Sequence, residues 1–153
     1  MEDHNFKALD SLVFLCNRVG RQLAQSTWKH LSEDSIDISP QHMGILSDLW
    51  QQDGVRQQDL AVSLIKDKGT IARTISFLEE KNILVRIDDP KDKRTKRIYL
   101  THKGKKLKEE IIPLTEKVEK EVLGQINPEE LKTCKKVLAQ IYTKSISCIR
   151  NEN

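Results

Sequence analysis

The sequence predicts a mainly α fold interrupted by one β-hairpin, and three observations carry that prediction. Apolar residues recur at helical spacing in long runs at both ends of the chain and in shorter runs between them. A β-branched run from Ile83 to Ile87 and the alternating Arg97-Ile98-Tyr99-Leu100 read as two strands. The segment joining them, Asp88 to Lys96, is densely charged and contains Pro90, so it is a tip and not core.

Taken in order, Phe6, Leu9, Val13, Cys16, Val19, Leu23, Trp28 and Leu31 form one helical stripe over residues 5–31. Ser32 to Ile38 breaks it. Ser39-Pro40 starts a second helix, with Ser as the cap and Pro in the first turn, where a missing N–H does no harm. That helix carries Met43, Leu46, Leu49 and Trp50 and stops near Gly54. Leu60, Ala61 and Leu64 mark a short helix over 57–65. Asp67 caps another over 68–81, with Ile71, Ile75 and Leu78 inward. After the hairpin, Thr101 opens a long helix to about residue 126 on Leu107, Ile111, Leu114, Val118 and Val122, and Pro113 is expected to kink it. Asn127-Pro128-Glu129-Glu130 caps a last helix, on Leu131, Cys134, Leu138 and Ile141, running to about Ile149.

Three short helices followed by a hairpin make a winged helix-turn-helix. Residues 37–106 are the expected lobe of that type, and 1–36 with 107–153 the expected helical dimerisation region. The long stripes have too little else in one chain to bury against, so a second copy is the natural cover.

Charge points to the partner. Charged residues are 32% of the chain against about 25% in ordinary domains, and the net charge is only +3. Its distribution decides more: residues 39–106 hold 14 basic and 9 acidic residues, the remainder 12 and 14. Lys91, Lys93, Arg94, Lys96 and Arg97 crowd seven positions with one acid, Asp92. So dense a cationic tip calls for anions, and a phosphate backbone supplies them. The helix at 68–81 offers Lys68, Gly69, Thr70, Arg73 and Thr74 near its start, a face that suits a major groove. Arg73 has the fork to bond O6 and N7 of a guanine. Arg56 just before the preceding helix, Gln57 at its start and Lys66 in the turn complete the candidate surface for double-stranded DNA.

Other classes are disfavoured. No Ser/His/Asp or Cys/His grouping, Gly-rich phosphate loop or plausible paired carboxylates suggests an enzyme. Glu109-Glu110 and Glu129-Glu130 are sequence neighbours that point apart on helices. No metal-ligand spacing or cofactor motif is present. Three unclustered cysteines, no targeting segment and no run of about 18 apolar residues fit a reducing cytoplasm, with no membrane span.

In SPQHMGILSDLW, in QQDLAVSLIKDKGTIARTISFLEEKNILVR and above all in DPKDKR followed by LTHKG, the chain resembles the multiple-antibiotic-resistance regulator (MarR) family over nearly its whole length. The resemblance implies a cytoplasmic homodimeric transcriptional regulator. It also implies that Arg94 enters a minor groove, that Asp92 braces the wing from within, and that the first and last two helices form the dimer. An arginine at a hairpin tip suits the narrow, strongly negative minor groove. The reading that follows is a dimer on a palindromic, inverted-repeat operator, repressing transcription and released by a small molecule. Relatives bind small anions between the first helices and the DNA-binding lobe, where Trp28, His42 and Trp50 are the candidate lining, with His30 nearby. Cys16 is the alternative, redox-sensing site. Its place on the apolar stripe predicts a buried, unreactive thiol, and the two tyrosines, Tyr99 and Tyr142, do not supply the surroundings of the family's peroxide sensors. A winged helix repurposed for protein contact is the other alternative, and the basic tip weighs against it.

Overall fold

The computed structural model describes residues 7–30 and 38–151. Phe6 and Leu31 of the first stripe, and residues 32–37 of the connection, lie outside that range. The chain forms six α-helices and three strands among these residues: α1 Leu12–Lys29, α2 Met43–Gln51, β1 Val55–Arg56, α3 Gln57–Ser63, α4 Lys68–Glu80, β2 Leu84–Asp89, β3 Asp92–Leu100, α5 His102–Leu123 and α6 Pro128–Asn151. A 3₁₀ turn, Pro40–His42, leads into α2.

The helix starts follow their caps. Ser39 N–H donates to His42 Nδ1 at 2.9 Å, Asp67 accepts from Thr70 N at 2.8 Å, and Asn127 Oδ1 accepts from Glu129 N at 2.9 Å. Each satisfies a donor that the helix itself leaves open. α5 runs on through Pro113, which takes one donor out of its ladder.

The sheet order is β1-β3-β2, all antiparallel. The two-residue β1, pairing Val55 with Ile98, is an element the sequence reading did not contain. The hairpin also runs further into the charged segment than the apolar pattern indicated. β2 continues to Asp89, β3 begins at Asp92, and only Pro90 and Lys91 turn the chain. Asp88 pairs with Lys96 but Asp89 with Asp92, so Lys93, Arg94 and Thr95 have no counterpart on β2 and form a bulge.

Ile45, Leu46, Leu49, Leu60, Ile71, Ile75, Leu78, Ile83, Leu84 and Ile98 make a continuous core between α2, α3, α4 and the sheet, joined by Leu107 and Ile111 of α5. Gly104 lets α5 dock there, because a Cβ at that position would run into the Ile83 carbonyl. Thr101 fixes the same junction. Its hydroxyl donates to Asn82 O at 2.6 Å and accepts from Gly104 N at 3.2 Å, while Trp50 Nε1 donates to Gly104 O at 2.9 Å. The Leu-Thr-x-x-Gly pattern is therefore a docking motif: Leu100 fills the core, Thr caps the helix, and Gly admits close approach.

The N-terminal half of α1 is different. Cys16, expected to be buried, is exposed in the single chain, where the described residues leave its stretch of α1 open. Only the C-terminal half, with Thr27 buried and Leu23 and Trp28 partly so, packs toward α5. Most of α6 is likewise exposed.

Candidate nucleic-acid interface

α4 presents its polar start outward because its apolar residues fall three and four apart on the opposite side. Ile71, Ile75 and Leu78 are 0–2% exposed, and Lys68, Gly69 and Arg73 face solvent. Asp67 organises that start. One carboxylate oxygen caps Thr70 N, the other accepts the Thr70 hydroxyl at 2.6 Å, and Arg73 Nη2 donates to Thr70 Oγ1 at 3.1 Å. These bonds from the Thr70 hydroxyl and N–H hold the Asp67 carboxyl below its usual 3.8, with the Arg73 charge adding to them. Arg73 is thus tethered lightly at the helix start, with its fork still exposed. The Thr74 hydroxyl is turned back onto Thr70 O at 2.9 Å, which leaves its methyl and not its donor for an incoming ligand.

The wing is built on Asp89. Its side chain is fully buried and accepts Lys91 N at 2.9 Å and Arg97 Nε at 2.7 Å, with Arg56 Nε at 3.5 Å. The Lys91 N–H has the largest effect on its carboxyl. Burial pulls the other way, Arg97 and Arg56 add to the first, and the net result is a carboxyl below 3.8. Arg97 also donates to Gly54 O at 2.9 Å, tying the hairpin to the loop before β1. Asp92 accepts Arg94 N at 3.0 Å and the Thr95 hydroxyl at 3.1 Å, shaping the bulge from an exposed position.

Several residues singled out from the sequence come together. Gln57 of α3, Lys68 of α4, and Arg94 and Lys96 of the wing line one polar groove of about 240 Å³, with Gln58 and Thr95. Lys96 is held by Asp88 across the hairpin. Lys91 and Lys93 stand exposed at the tip, and Lys66 in the turn. Arg56 is placed elsewhere, half-exposed and paired with Asp89. Gln58 and Asp89 were missed: one looks like any helical glutamine, the other like one more acid in a charged run.

The three aromatic candidates separate. Trp28 lines an apolar cleft of about 190 Å³ with Leu23, Ala24, Pro40, Met43, Thr115 and Val118, and Glu119 is a charged residue on its lining. His42 is buried against Ser39 and stacks on Phe77 at 4.5 Å, and Trp50 is bonded to Gly104, so neither lines that cleft.

A three-stranded wing beside a helix-turn-helix, with a cationic groove between the start of α4 and the wing, defines a winged-helix protein of the DNA-binding kind. Residues 38–96 match the sequence model of the MarR family. The transcriptional regulator HosA of Escherichia coli O111:H- is 27% identical over 110 residues, 72% of this chain and 82% of its own. The crystal structure of the S. aureus MepR–DNA complex superimposes with a TM-score of 0.68 at 25% identity, covering 92% of this chain and 99% of that one. The PcaV regulator of Streptomyces coelicolor, solved with its natural ligand, shares the fold with a TM-score of 0.73 at 18% identity, covering 92% and 97%. The stretch that resembles the MarR family, residues 38–96, spans the helix-turn-helix and most of the wing, and the relatives matched over a longer stretch are transcriptional regulators.

Proposed function

We propose that the chain is a homodimeric repressor that reads an inverted-repeat operator and leaves it when a small molecule binds. The observation that carries the DNA-binding surface is the groove that gathers Gln57, Lys68, Arg94 and Lys96 between the start of α4 and the wing. In this reading Thr70 and Arg73 enter the major groove and Arg94 an adjacent minor groove. Lys66, Lys91, Lys93 and Lys96 pair with phosphates, and Arg56 and Asp92 support the wing. Residues 37–106 act as the reading lobe, 1–36 and 107–153 as the dimerisation region. Occupying the operator represses by itself, with no further contact required.

Two-fold pairing is supported by exposed apolar side chains on α1 and α6, Leu12, Val13 and Val19 on one, Val137, Leu138 and Ile141 on the other. The cleft at Trp28 supports the effector. It lies where α1, the turn before α2 and α5 meet, so a molecule seated there bears on the junction between the two regions. Its walls favour an apolar or aromatic body, and PcaV, of the same fold, is known with a natural ligand.

Selection of duplexes from random sequence by the purified chain tests the reading. The expected product is an inverted repeat with half-sites about one helical turn apart, ~10 bp. A single asymmetric half-site recovered as the full high-affinity target contradicts it.

A further inference from the structure

We infer that Arg86 is a positioning residue: it locks the recognition helix α4 to the wing so that both engage one duplex at once. The inference rests on the DNA-binding reading above and concerns a residue that lines no part of the groove.

Arg86 projects from β2 and spans two turns of α4. Its Nη1 donates to Glu79 Oε2 at 2.8 Å, and its backbone N–H donates to Glu79 Oε1 at 3.1 Å. Its Nη2 donates to Ala72 O at 3.0 Å and to Ser76 Oγ at 2.9 Å. Positions 72, 76 and 79 lie on one face of the helix, since they are four and three residues apart. One planar guanidinium therefore grips a length of helix and a strand at the same time. The remaining nitrogen, Nε, is buried without a partner.

That orphan nitrogen separates two explanations. If Arg86 served only to hold the lobe together, an apolar side chain of similar length would fill the space and strand no donor. The core residues Ile71, Ile75 and Leu78 already set which face of α4 turns inward, but apolar contact is non-directional and leaves the fine angle about the helix axis less tightly fixed. A fork with set donor directions fixes it. Rotation matters because Arg73 and Arg94 sit on separate elements, α4 and the β3 bulge. They reach adjacent grooves together only at one angle between helix and wing. When two contacts share a rigid frame, the second forms at high effective concentration, and a loose frame forfeits that gain.

The test is a double-mutant cycle with Arg86→Met and Arg94→Ala, on a duplex selected by the wild-type chain and on a random duplex, with circular dichroism confirming every variant folded at the assay temperature. Arg94→Ala in the wild-type background checks the underlying reading, with an expected loss of about 10-fold on the selected duplex. Arg86→Met should lower the preference for the selected over the random duplex by about 10-fold and leave the salt slope unchanged, because no phosphate contact is removed. In the Arg86→Met background, Arg94→Ala should cost less than about 3-fold, since the two residues then no longer act through one frame. Equal losses from Arg94→Ala in both backgrounds, with the duplex preference intact in Arg86→Met, would overturn the inference and leave the DNA-binding reading standing. No loss from Arg94→Ala in the wild-type background would overturn the wing contact, and the inference with it. Should Arg86→Met fail to fold, Ser76→Ala removes a single acceptor of the fork and is expected to move the same duplex preference about 2-fold, because the same nitrogen keeps its bond to Ala72 O. No change there counts against the clamp.

Discussion

In the lobe, Ile45, Leu46, Leu49, Leu60, Ile75 and Leu78 are at most 1% exposed. In α1, Leu12, Val13, Phe14 and Val19, side chains of the same chemistry, stand 46–76% exposed. Both sets come from helices with one apolar face. The pattern says that a face is to be covered, and only the tertiary structure says by what. The lobe supplies its own cover, from helix, sheet and the start of α5. The described residues cover the N-terminal half of the α1 stripe far less.

The largest expected effect follows from the closed core. Ile75→Ala should destabilise the lobe by about 2–5 kcal/mol, the cost of emptying a packed site. Val13→Ala should shift the unfolding of the lobe by less than about 0.5 kcal/mol and act on subunit association instead. Denaturant titrations across a range of protein concentrations separate the two, because only an associating face makes the midpoint depend on concentration.

On the DNA side, Arg94→Ala should weaken binding to the selected duplex by about 1–3 kcal/mol. Lys91→Ala should weaken binding to every duplex and flatten the salt slope by about 1. Titration at two salt levels on selected and random DNA reads both. Equal, sequence-blind losses would make Arg94 one more phosphate contact.

A smaller effect comes from the helix ends inside the lobe. α3 and α4 finish alike: Lys66 N bonds Ala61 O and Ile65 N bonds Val62 O, as Ile83 N bonds Leu78 O and Asn82 N bonds Glu79 O. The left-handed residue is Asn82 in one, at φ 55°, and Ile65 in the other, at φ 51°. Asparagine tolerates that region, and a β-branched side chain is strained in it. Ile65→Asn should therefore raise the thermal stability by about 1 kcal/mol. A loss would show that the exposed isoleucine makes a contact in the assembled protein.

The acid limit of the lobe should bear the mark of Asp67 and Asp89. Both carboxyls are held below 3.8 in the folded chain, so their contribution is complete above that value and is lost as pH falls through the lowered one. Asp89→Asn should be less stable near neutral pH and show a shallower fall in stability below about pH 4. Melting curves from pH 3 to 7 measure this, and parallel curves for variant and parent would remove Asp89 as a wing brace.

Much of this was legible in the sequence, and the misses have physical causes. Helical stripes, caps at Ser39, Asp67, Thr101 and Asn127, and the basic hairpin all depend on nearest neighbours along the chain, which a sequence displays. Asp89 and Arg97 do not. They sit among like charges, and only the register of the hairpin turns one inward to meet the other. β1 is too short to show periodicity. Arg86 lies inside the run that reads as a strand, and its four bonds to α4 depend on a packing angle that no spacing encodes. Cys16 lies on an apolar stripe, as its spacing indicates, but the described residues do not cover that stretch of the helix.

Sedimentation velocity over micromolar concentrations, on the parent chain and on a variant carrying Leu138→Glu and Ile141→Glu, tests the contrast between lobe and end helices most directly. The account predicts a parent dimer. It predicts for the variant a monomer whose lobe stays folded and whose affinity for the inverted repeat falls by more than about 100-fold, as expected when two anchoring side chains are lost from a subunit interface. A parent chain that sediments as a folded monomer, still binding the inverted repeat tightly, would contradict it.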